Sequence, residues 1–408
     1  MIVLAVLFMG MLSLNKYMNE RYKRPLSDSE RIWLGVNQAF CPFAIQAILE
    51  GSGRLDYERL TDAVEKASAA NPGSRLVLKG ILRGCHWIDS GKPPRIRKVQ
   101  AGKWDGYSST NAPFLMDDVP HNGPTCEVLY IEGDIPRIAF RSNHGVMDGR
   151  GMLTWMEDVF RVLRGENPIG SASTLTDYQL IESISDKKKR IDLFKCVAPT
   201  GKAKKEAKGV TWKRLTFMGS HTEIIGKVAV ALARSAFRYQ EGRFNIAIPV
   251  DLRSRKPGLR STGNLSQTIY VEITKSATFA SITEEIQRQL DNKNDCINIE
   301  RGNSIGWIPL WAIKLFCRQI ARSAHKQGLY MIPVCISNLG RIDTESLSGA
   351  GFTTESIFFA PPRADAQPAF VVLAGKTGRL ELTLSVPNVL ASNGRLDRLL
   401  DEIREQFS

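Results

Sequence analysis

The alternation of apolar and polar residues predicts a chain that switches repeatedly between helices and strands. Apolar residues three and four positions apart predict a helix over residues 56–70, and Asn71-Pro72-Gly73 ends it. Period-two alternation over residues 126–131 and 135–141 predicts the two strands of a hairpin. An amphipathic helix is then expected over residues 151–164, so the first part of the chain reads as an α/β unit.

The same kind of pattern restarts in the second part of the chain. A long helix is predicted over residues 221–240, and strongly apolar strands are predicted over residues 244–250 and 265–273. A further helix is predicted over residues 308–325, and a hairpin over residues 370–386. The sequence therefore predicts an α/β fold made of two halves.

Length and composition agree with a two-part globular protein. The chain has 408 residues, of which 43% are hydrophobic and 24% charged, a balance that excludes a disordered chain and a multi-span membrane protein. We expect an N-terminal half over residues 25–185, a basic linker over 186–209 and a C-terminal half over 210–408. An apolar and then basic extension, residues 1–24, precedes them.

The net charge of +13 is concentrated in the predicted linker. Residues 187–208 contain nine basic and two acidic residues, and we interpret this run as a solvated linker. The sequence lacks the interleaved aromatic residues that stack on bases, so no nucleic-acid partner is expected. The mildly basic remainder suits an anionic cofactor or an acidic carrier protein.

The N-terminal extension and the cysteines bear on location. Residues 1–14 are almost wholly apolar, but the run is too short to span a bilayer and lacks the marks of a signal peptide. We interpret it as an extension without function or a misplaced start. A membrane contact through residues 1–24, export and core packing stay open. Seven scattered cysteines predict neither a disulfide framework nor a zinc site, which favours a cytoplasmic location.

His144 is the strongest candidate for chemistry among five histidines. It follows an apolar strand and opens a glycine-rich turn, residues 143–151, that leads into a helix. Asp148 lies four residues further on, and glycines at 145, 149 and 151 are expected to let the backbone turn tightly. A neutral imidazole placed there can take a proton from a hydroxyl or an amine. A packed strand-end histidine is the alternative, and structural roles are expected for His86, His121, His221 and His325.

The segment His144-x-x-x-Asp148-Gly149 resembles the HxxxDG signature of the chloramphenicol acetyltransferase-like superfamily. That superfamily includes nonribosomal peptide condensation domains and acyl-CoA acyltransferases. Three further segments resemble it in order and rough spacing, so that the resemblance covers nearly all of residues 24–408. They are Pro249-x-x-x-Arg253, Ser337-Asn338-Leu339-Gly340, and the opening with Arg24-Pro25-Leu26-Ser27 and Gly53-Arg54-Leu55-Asp56.

The resemblance implies two chloramphenicol-acetyltransferase-like halves that form a pseudo-dimer with a tunnel between them. His144 would be the general base that deprotonates the acceptor as it attacks a thioester carbonyl. Asp148 would pair with Arg253, and Gly149 would permit the turn. Ser337 and Asn338 would lie near the tunnel and bind substrate, where a donor could help the oxyanion. The resemblance implies no metal, no covalent enzyme intermediate and no tightly bound cofactor, only a coenzyme A or phosphopantetheine thioester as co-substrate.

Two departures from the family bear on which of its members this chain resembles. Condensation domains usually carry two adjacent histidines, and here Asn143 occupies the first position. Many acyl-CoA acyltransferases lack that histidine as well, although the DFGWG segment of the plant enzymes has no counterpart here. We therefore expect an acyltransferase that moves an acyl group from acyl-CoA or an acyl carrier protein to a small-molecule alcohol or amine. The alternative is a stand-alone condensation enzyme that joins carrier-bound substrates through an amide or ester in natural-product assembly.

Other functional classes find less support in the sequence. Gly302-Asn303-Ser304-Ile305-Gly306 fits the serine hydrolase pattern, but no Asp or Glu lies between Ser304 and the only later histidine, His325. No complete phosphate-binding loop is present. A non-catalytic member of the same fold is disfavoured because His144, Asp148 and Arg253 are all intact.

Overall fold

The computed structural model describes residues 21–189, 194–204, 207–299 and 305–407. The helices of these residues are α1 (Asp28–Ala39), α2 (Tyr57–Ala70), α3 (Gly149–Leu163), α4 (Asp177–Ile184), α5 (Ile224–Tyr239), α6 (Phe279–Asp291), α7 (Leu310–Gln327), α8 (Asn388–Ala391) and α9 (Arg395–Glu405). The strands are β1 (Lys23–Pro25), β2 (Ala44–Gly53), β3 (Leu76–Lys79), β4 (His86–Asp89), β5 (Arg95–Gln100), β6 (Cys126–Glu132), β7 (Arg137–Asn143), β8 (Lys188–Lys189), β9 (Cys196–Val197), β10 (Val210–Met218), β11 (Asn245–Asp251), β12 (Ser266–Glu272), β13 (Asn298–Ile299), β14 (Leu329–Tyr330), β15 (Val334–Arg341), β16 (Phe352–Ala360), β17 (Phe370–Lys376) and β18 (Arg379–Pro387).

Two large sheets form the centres of the two halves. The first has the order β16-β2-β7-β6-β5, and the second has the order β10-β18-β17-β15-β11-β12. The predicted hairpins are confirmed, because β6 pairs with β7 and β17 pairs with β18, both antiparallel. Each sheet carries a hydrophobic core of its own, in which helices cover apolar sheet faces.

Helix α3 positions the predicted motif in the first half. Its apolar face buries Phe160 against the first sheet and α2, as its periodicity predicts, and Trp155 is buried there as well. Asp148 is its N-cap, and the Asp148 side chain accepts a hydrogen bond from the Gly151 backbone N–H. The HxxxDG segment is therefore the connection between β7 and α3.

Strand β16 crosses from one half to the other. It lies within the predicted C-terminal half, residues 210–408, yet it pairs antiparallel with β2 in the first sheet. Phe352 is opposite Gly53 and Ile357 is opposite Leu49. Periodicity predicts a strand but carries no information on the sheet to which it belongs, and the domain boundaries themselves stay a prediction.

The predicted linker contains a packed segment. Residues 196–201 are all buried, β9 pairs with β14, and the Thr200 carbonyl accepts a hydrogen bond of 2.7 Å from Arg395. The described lysines of the basic run are exposed, and they flank a short stretch of residues that packs into the second half, so the linker boundaries stay a prediction.

A buried ion-pair cluster, which we call the sheet junction, joins the two sheets. The buried Arg214 side chain on β10 donates to Glu381 on β18 at 2.7 Å and to Glu50 on β2 at 2.8 Å. It also donates to the Ser356 hydroxyl on β16 at 3.0 Å. Arg137 on β7 donates to the other oxygen of Glu50 at 2.8 Å. Each of the two carboxylates is thereby held by arginine.

None of the helices in the described part of the chain is long and apolar enough to cross a membrane.

Candidate active site

His144 directly follows the end of β7, and its ring lies between two aromatic side chains. The ring stacks on Trp33 with a centroid separation of 4.5 Å and on Phe43 with one of 5.1 Å. The residue as a whole is partly exposed, but its Nδ1 atom is buried and has no hydrogen-bond partner. The other ring nitrogen, Nε2, is therefore the one that can contact a substrate.

The surroundings of His144 favour its neutral form. Desolvation of the ring lowers the pKa of His144 below its usual value of 6.5, and the neighbouring Asp148 carboxylate offsets only part of this. A neutral imidazole at neutral pH can accept a proton, as a general base must.

Asp148 and Arg253 form the ion pair that the sequence analysis expects, and we call this pair the site junction. Arg253 Nη2 lies 3.1 Å from Asp148 Oδ1, and Arg253 Nη1 lies 3.2 Å from Oδ2. Asp148 also accepts hydrogen bonds from the backbone N–H groups of Gly151 at 2.7 Å and Leu265 at 2.8 Å. The Asp148 carboxylate thus holds the turn against the second half, which is a positioning role.

Arg253 is itself held by backbone carbonyls and a second carboxylate. It donates to the carbonyls of Ser261 at 3.0 Å and Gly263 at 2.6 Å, and to Asp251 at 2.6 Å. These carboxylates raise the pKa of Arg253 although its burial opposes this. The site junction therefore orders the 261–265 segment of the second half together with the turn of the first half.

The three glycines of the turn serve close packing. None of Gly145, Gly149 and Gly151 has a positive φ. The expectation that glycine is needed there for a tight turn is therefore wrong, and close packing explains the glycines instead. A Cβ at Gly149 would lie 2.7 Å from Leu339 Cδ2, and one at Gly151 would lie 2.3 Å from the Thr262 carbonyl oxygen. Both neighbours belong to the second half, so these glycines let the halves approach each other.

Asn143, at the position of the additional histidine in condensation domains, is fully buried. Its Nδ2 donates to the Val119 carbonyl at 2.7 Å, and its Oδ1 accepts from the Gly145 N–H at 2.9 Å. Both bonds order the start of the turn. Within the described residues its side chain has these backbone partners, so its contacts are structural.

Ser337 and Asn338 lie on β15, next to the first turn of α3. Asn338 is exposed, and its Oδ1 accepts from the Gly340 N–H at 2.9 Å. Arg150 joins the two elements, because it donates to the Leu339 carbonyl at 2.6 Å. The described contacts bring this segment to the turn but include no hydrogen bond from Ser337 or Asn338 to His144, and their role in substrate binding stays a prediction.

Helix α1 supports the backbone of His144. The sequence analysis does not predict this helix. Its buried Glu30 binds Arg24 at 2.7 Å and accepts from Trp87 Nε1 at 3.1 Å. Asn264 Nδ2 lies 3.3 Å from Glu30 Oε1 and donates to the His144 carbonyl at 2.9 Å. Burial raises the pKa of Glu30, although Arg24 opposes this. The backbone of His144 is thus tied to both halves.

A signal for α1 is present in the sequence. Ser27 and Glu30 form a capping box, in which each side chain accepts a hydrogen bond from the backbone N–H of the other residue. This S-x-x-E pattern predicts a helix start at residue 28, and Trp33 then lies on α1. No comparable local signal points to Asn264.

Other predicted candidates lie elsewhere or remain untested. In the described residues no group of three or more His, Cys, Asp or Glu side chains is placed to hold a metal ion. Ser304 of the hydrolase-like pattern lies outside the described residues. Three of the other four histidines make local contacts, His86 with the Gly84 carbonyl, His221 with the Met218 carbonyl and His325 with the Tyr330 hydroxyl.

Comparison with known proteins gives matches among solved structures. No protein-family model matches the chain, and no curated protein matches it. The starter condensation domain of rhizomide synthetase RzmA, in complex with C8-CoA and Leu-SNAC, is similar over 96% of this chain and 95% of its own, with a TM-score of 0.62 and 12% identity.

Two further condensation domains show the same likeness. The first condensation domain of the calcium-dependent antibiotic synthetase has a TM-score of 0.60 and 14% identity, covering 94% of this chain and 95% of its own. The condensation domain from monacolin K polyketide synthase MokA has a TM-score of 0.59 and 11% identity, covering 94% and 96%. The expected resemblance is confirmed at the level of fold: the chain has the two-halved, chloramphenicol-acetyltransferase-like fold of condensation domains.

Proposed function

We propose that the protein is an acyltransferase that moves an acyl group from a thioester to a hydroxyl or amine, with His144 as the general base. The observation that carries the proposal is the placement of His144. Its imidazole is stacked between Trp33 and Phe43, where burial lowers its pKa, on a turn that the site junction fixes against the second half. Because an acceptor needs a base of this kind at neutral pH, the arrangement suits acyl transfer.

In the proposed reaction, His144 takes a proton from the acceptor and returns it to the leaving sulfur. The acceptor oxygen or nitrogen attacks the thioester carbonyl carbon while its proton passes to Nε2 of His144. The tetrahedral intermediate then collapses, the carbon–sulfur bond breaks, and the proton returns from the imidazolium to the leaving sulfur. A donor to the oxyanion would lower the barrier, and we assign that part of the site to the Ser337-Asn338 segment.

The donor is proposed to be a coenzyme A or phosphopantetheine thioester. The C8-CoA in the rhizomide synthetase structure supports a thioester donor for this chain, and the net charge of +13 suits its phosphates. The likeness to condensation domains supports a second candidate function, which is amide or ester formation between carrier-bound substrates. Asn143 does not separate the two, since its contacts are structural.

Replacement of His144 tests the proposed base. His144→Ala is expected to lower acyl transfer by about 10²–10⁴-fold with an unchanged melting temperature. Release of free thiol from octanoyl-CoA, with a panel of amines and alcohols, measures the rate. The matched control is His86→Ala, which removes a histidine whose ring bonds to the nearby Gly84 carbonyl and should retain the wild-type rate. Wild-type turnover in His144→Ala would refute the base.

Ligand-dependent unfolding separates the two kinds of donor. Free coenzyme A at about 100 times its dissociation constant stabilises a folded protein by about 2.7 kcal/mol, which raises the melting temperature by a few degrees. Such a shift, absent with inorganic phosphate at equal ionic strength, is expected for an acyl-CoA enzyme. If no shift occurs, a carrier protein loaded with an octanoyl thioester becomes the donor to assay.

A further inference from the structure

One exposed surface of the second half is unusually apolar. Trp307, Ile308, Trp311, Leu315 and Phe316 all project from the start of α7 or from the turn before it, and Trp311 and Phe316 are 63% and 64% exposed. Ile81, 81% exposed, belongs to the neighbouring turn of the first half. We call these six residues the α7 surface. Large apolar side chains that are exposed together mark an interaction site.

The α7 surface is held rigidly in place. Arg31 on α1 donates to the Ile308 carbonyl at 3.2 Å and also binds the Leu82 carbonyl, so one side chain fixes both turns. Arg83 lies over the Trp307 ring at 5.7 Å. The turn that carries Ile81 is therefore fixed next to the turn that carries Trp307 and Ile308.

The opposite face of α7 is buried, which fixes the direction of the exposed one. Ile313, Cys317 and Ala321 pack into a small core with Phe40. A Cβ at Gly35 of α1 would lie 2.2 Å from Ile313 Cγ2, so the two helices are in close contact. Trp311, Leu315 and Phe316 consequently cannot turn inward without separating α7 from α1.

Charge on this part of the chain has one sign. Residues 301–342 contain no Asp or Glu. Arg318, Arg322 and Lys326 are exposed and continue along α7 beyond Leu315 at helical spacing. A protein surface that combines exposed aromatic and apolar residues with neighbouring basic ones can bind an anionic bilayer, because the apolar side chains enter the interface and the basic ones attract the negative lipid headgroups.

We propose that the α7 surface binds the surface of a membrane containing anionic lipid. Trp307 and Trp311 enter the headgroup region, where aromatic rings with a polar edge are favoured, Phe316 enters the adjoining apolar layer, and Arg318 and Arg322 face the lipid phosphates. The contact is peripheral. It is independent of the proposed acyl transfer, since none of these residues belongs to the site.

Vesicle binding by the full-length chain tests the proposal. Vesicles of phosphatidylcholine with about one third phosphatidylglycerol are expected to sediment the protein and to shift its tryptophan emission to shorter wavelength. Trp307 and Trp311 are the two tryptophans that are more than one third exposed, so brominated lipid should quench this signal. Pure phosphatidylcholine is expected to bind more weakly, because it offers no net negative charge.

Three variants separate the parts of the surface. Trp311→Ser with Phe316→Ser is expected to lower the vesicle partition coefficient by roughly tenfold or more. Arg318→Gln with Arg322→Gln should lower it about tenfold on anionic vesicles and leave it unchanged on neutral ones. Met218→Ser is the matched control, since Met218 is 70% exposed but lies outside the α7 surface; its binding should equal that of the wild type.

Several outcomes would overturn the proposal. If the Trp311/Phe316 variant binds vesicles as well as the wild type, any lipid contact lies elsewhere, for example in the apolar run of residues 1–14. If the wild-type protein does not bind vesicles but forms a dimer that the Trp311/Phe316 variant abolishes, the surface joins two copies of the chain. If the wild-type protein does not bind vesicles and binds an acidic carrier protein instead, the partner of the α7 surface is a protein.

Discussion

The site junction and the sheet junction both join the two halves through buried ion pairs, but they bind different kinds of partner. In the site junction, Asp148 and Arg253 each also bind backbone groups, which include the Leu265 N–H and the Gly263 carbonyl. In the sheet junction, the three donors of Arg214 bind only side chains, those of Glu50, Glu381 and Ser356.

This difference separates two tasks. Bonds to backbone groups set the course of a loop, so the site junction determines where His144 and the 261–265 segment lie. Bonds between side chains on regular strands leave the backbone unchanged, so the sheet junction holds two preformed sheets together. We therefore expect changes in the sheet junction to affect stability alone and changes in the site junction to affect stability and rate together.

The largest loss of stability is expected for Arg214→Met. It leaves Glu50 and Glu381 buried without their shared partner, and such a loss costs about 3–5 kcal/mol of unfolding free energy. Urea denaturation measures the change, with Arg288→Met as the control because Arg288 forms an exposed pair with Glu285. The rate per folded molecule should stay at the wild-type value. A change in unfolding free energy no larger than the control's would show that the sheet junction does not hold the halves together.

A smaller loss of stability, combined with a loss of rate, is expected for Asp148→Asn. It removes the charge from the bidentate pair with Arg253, which lowers the unfolding free energy by about 2–3 kcal/mol. Octanoyl-CoA turnover should fall as well, because the turn that carries His144 loses its fixed position. A double-mutant cycle with Arg253→Met should give a coupling energy of about 1–3 kcal/mol. An unchanged melting temperature for Asp148→Asn would contradict the positioning role.

The smallest effect concerns the pH dependence of the rate. Because burial lowers the pKa of His144, the base stays neutral as the pH falls to 6.5, and the acid limb of kcat/KM is expected below that value. Trp33→Leu removes one stacked ring and hydrates the imidazole, so the limb should move upward by less than about one pH unit. Trp33→Phe keeps a ring and should keep the wild-type limb. A limb that does not respond to Trp33→Leu would show that the ring does not set the pKa.

Local patterns predict a large part of this fold and of its site. The hairpin β6–β7 and the helix α3 follow from periodicity, and the glycine-rich segment 143–151 predicts the connection between β7 and α3. The pairing of Asp148 with Arg253 is implied by the family resemblance, and the structure shows the two side chains hydrogen-bonded. These features depend on residues that lie near each other in the sequence, or on motifs that a family repeats.

The remaining features depend on contacts between distant segments. Asn264 reaches the His144 carbonyl across 120 residues, and nothing around it in the sequence marks it. Trp33 stacks on His144 only because α1 packs behind the turn. Gly149 and Gly151 look like turn residues until their neighbours in the second half are known. Such roles arise from tertiary packing, which period and spacing do not encode.

The crossing of β16 has a consequence for synthesis on the ribosome. Glu50 on β2 and Ser356 on β16 are 306 residues apart, so the first sheet lacks its outer strand until most of the chain has emerged. Until then β2 presents an open edge with the apolar residues Ala47, Ile48 and Leu49, which invites pairing with other chains. Expression of residues 21–185 alone would make this transient state permanent, and the halves are therefore one folding unit whose first part is completed late.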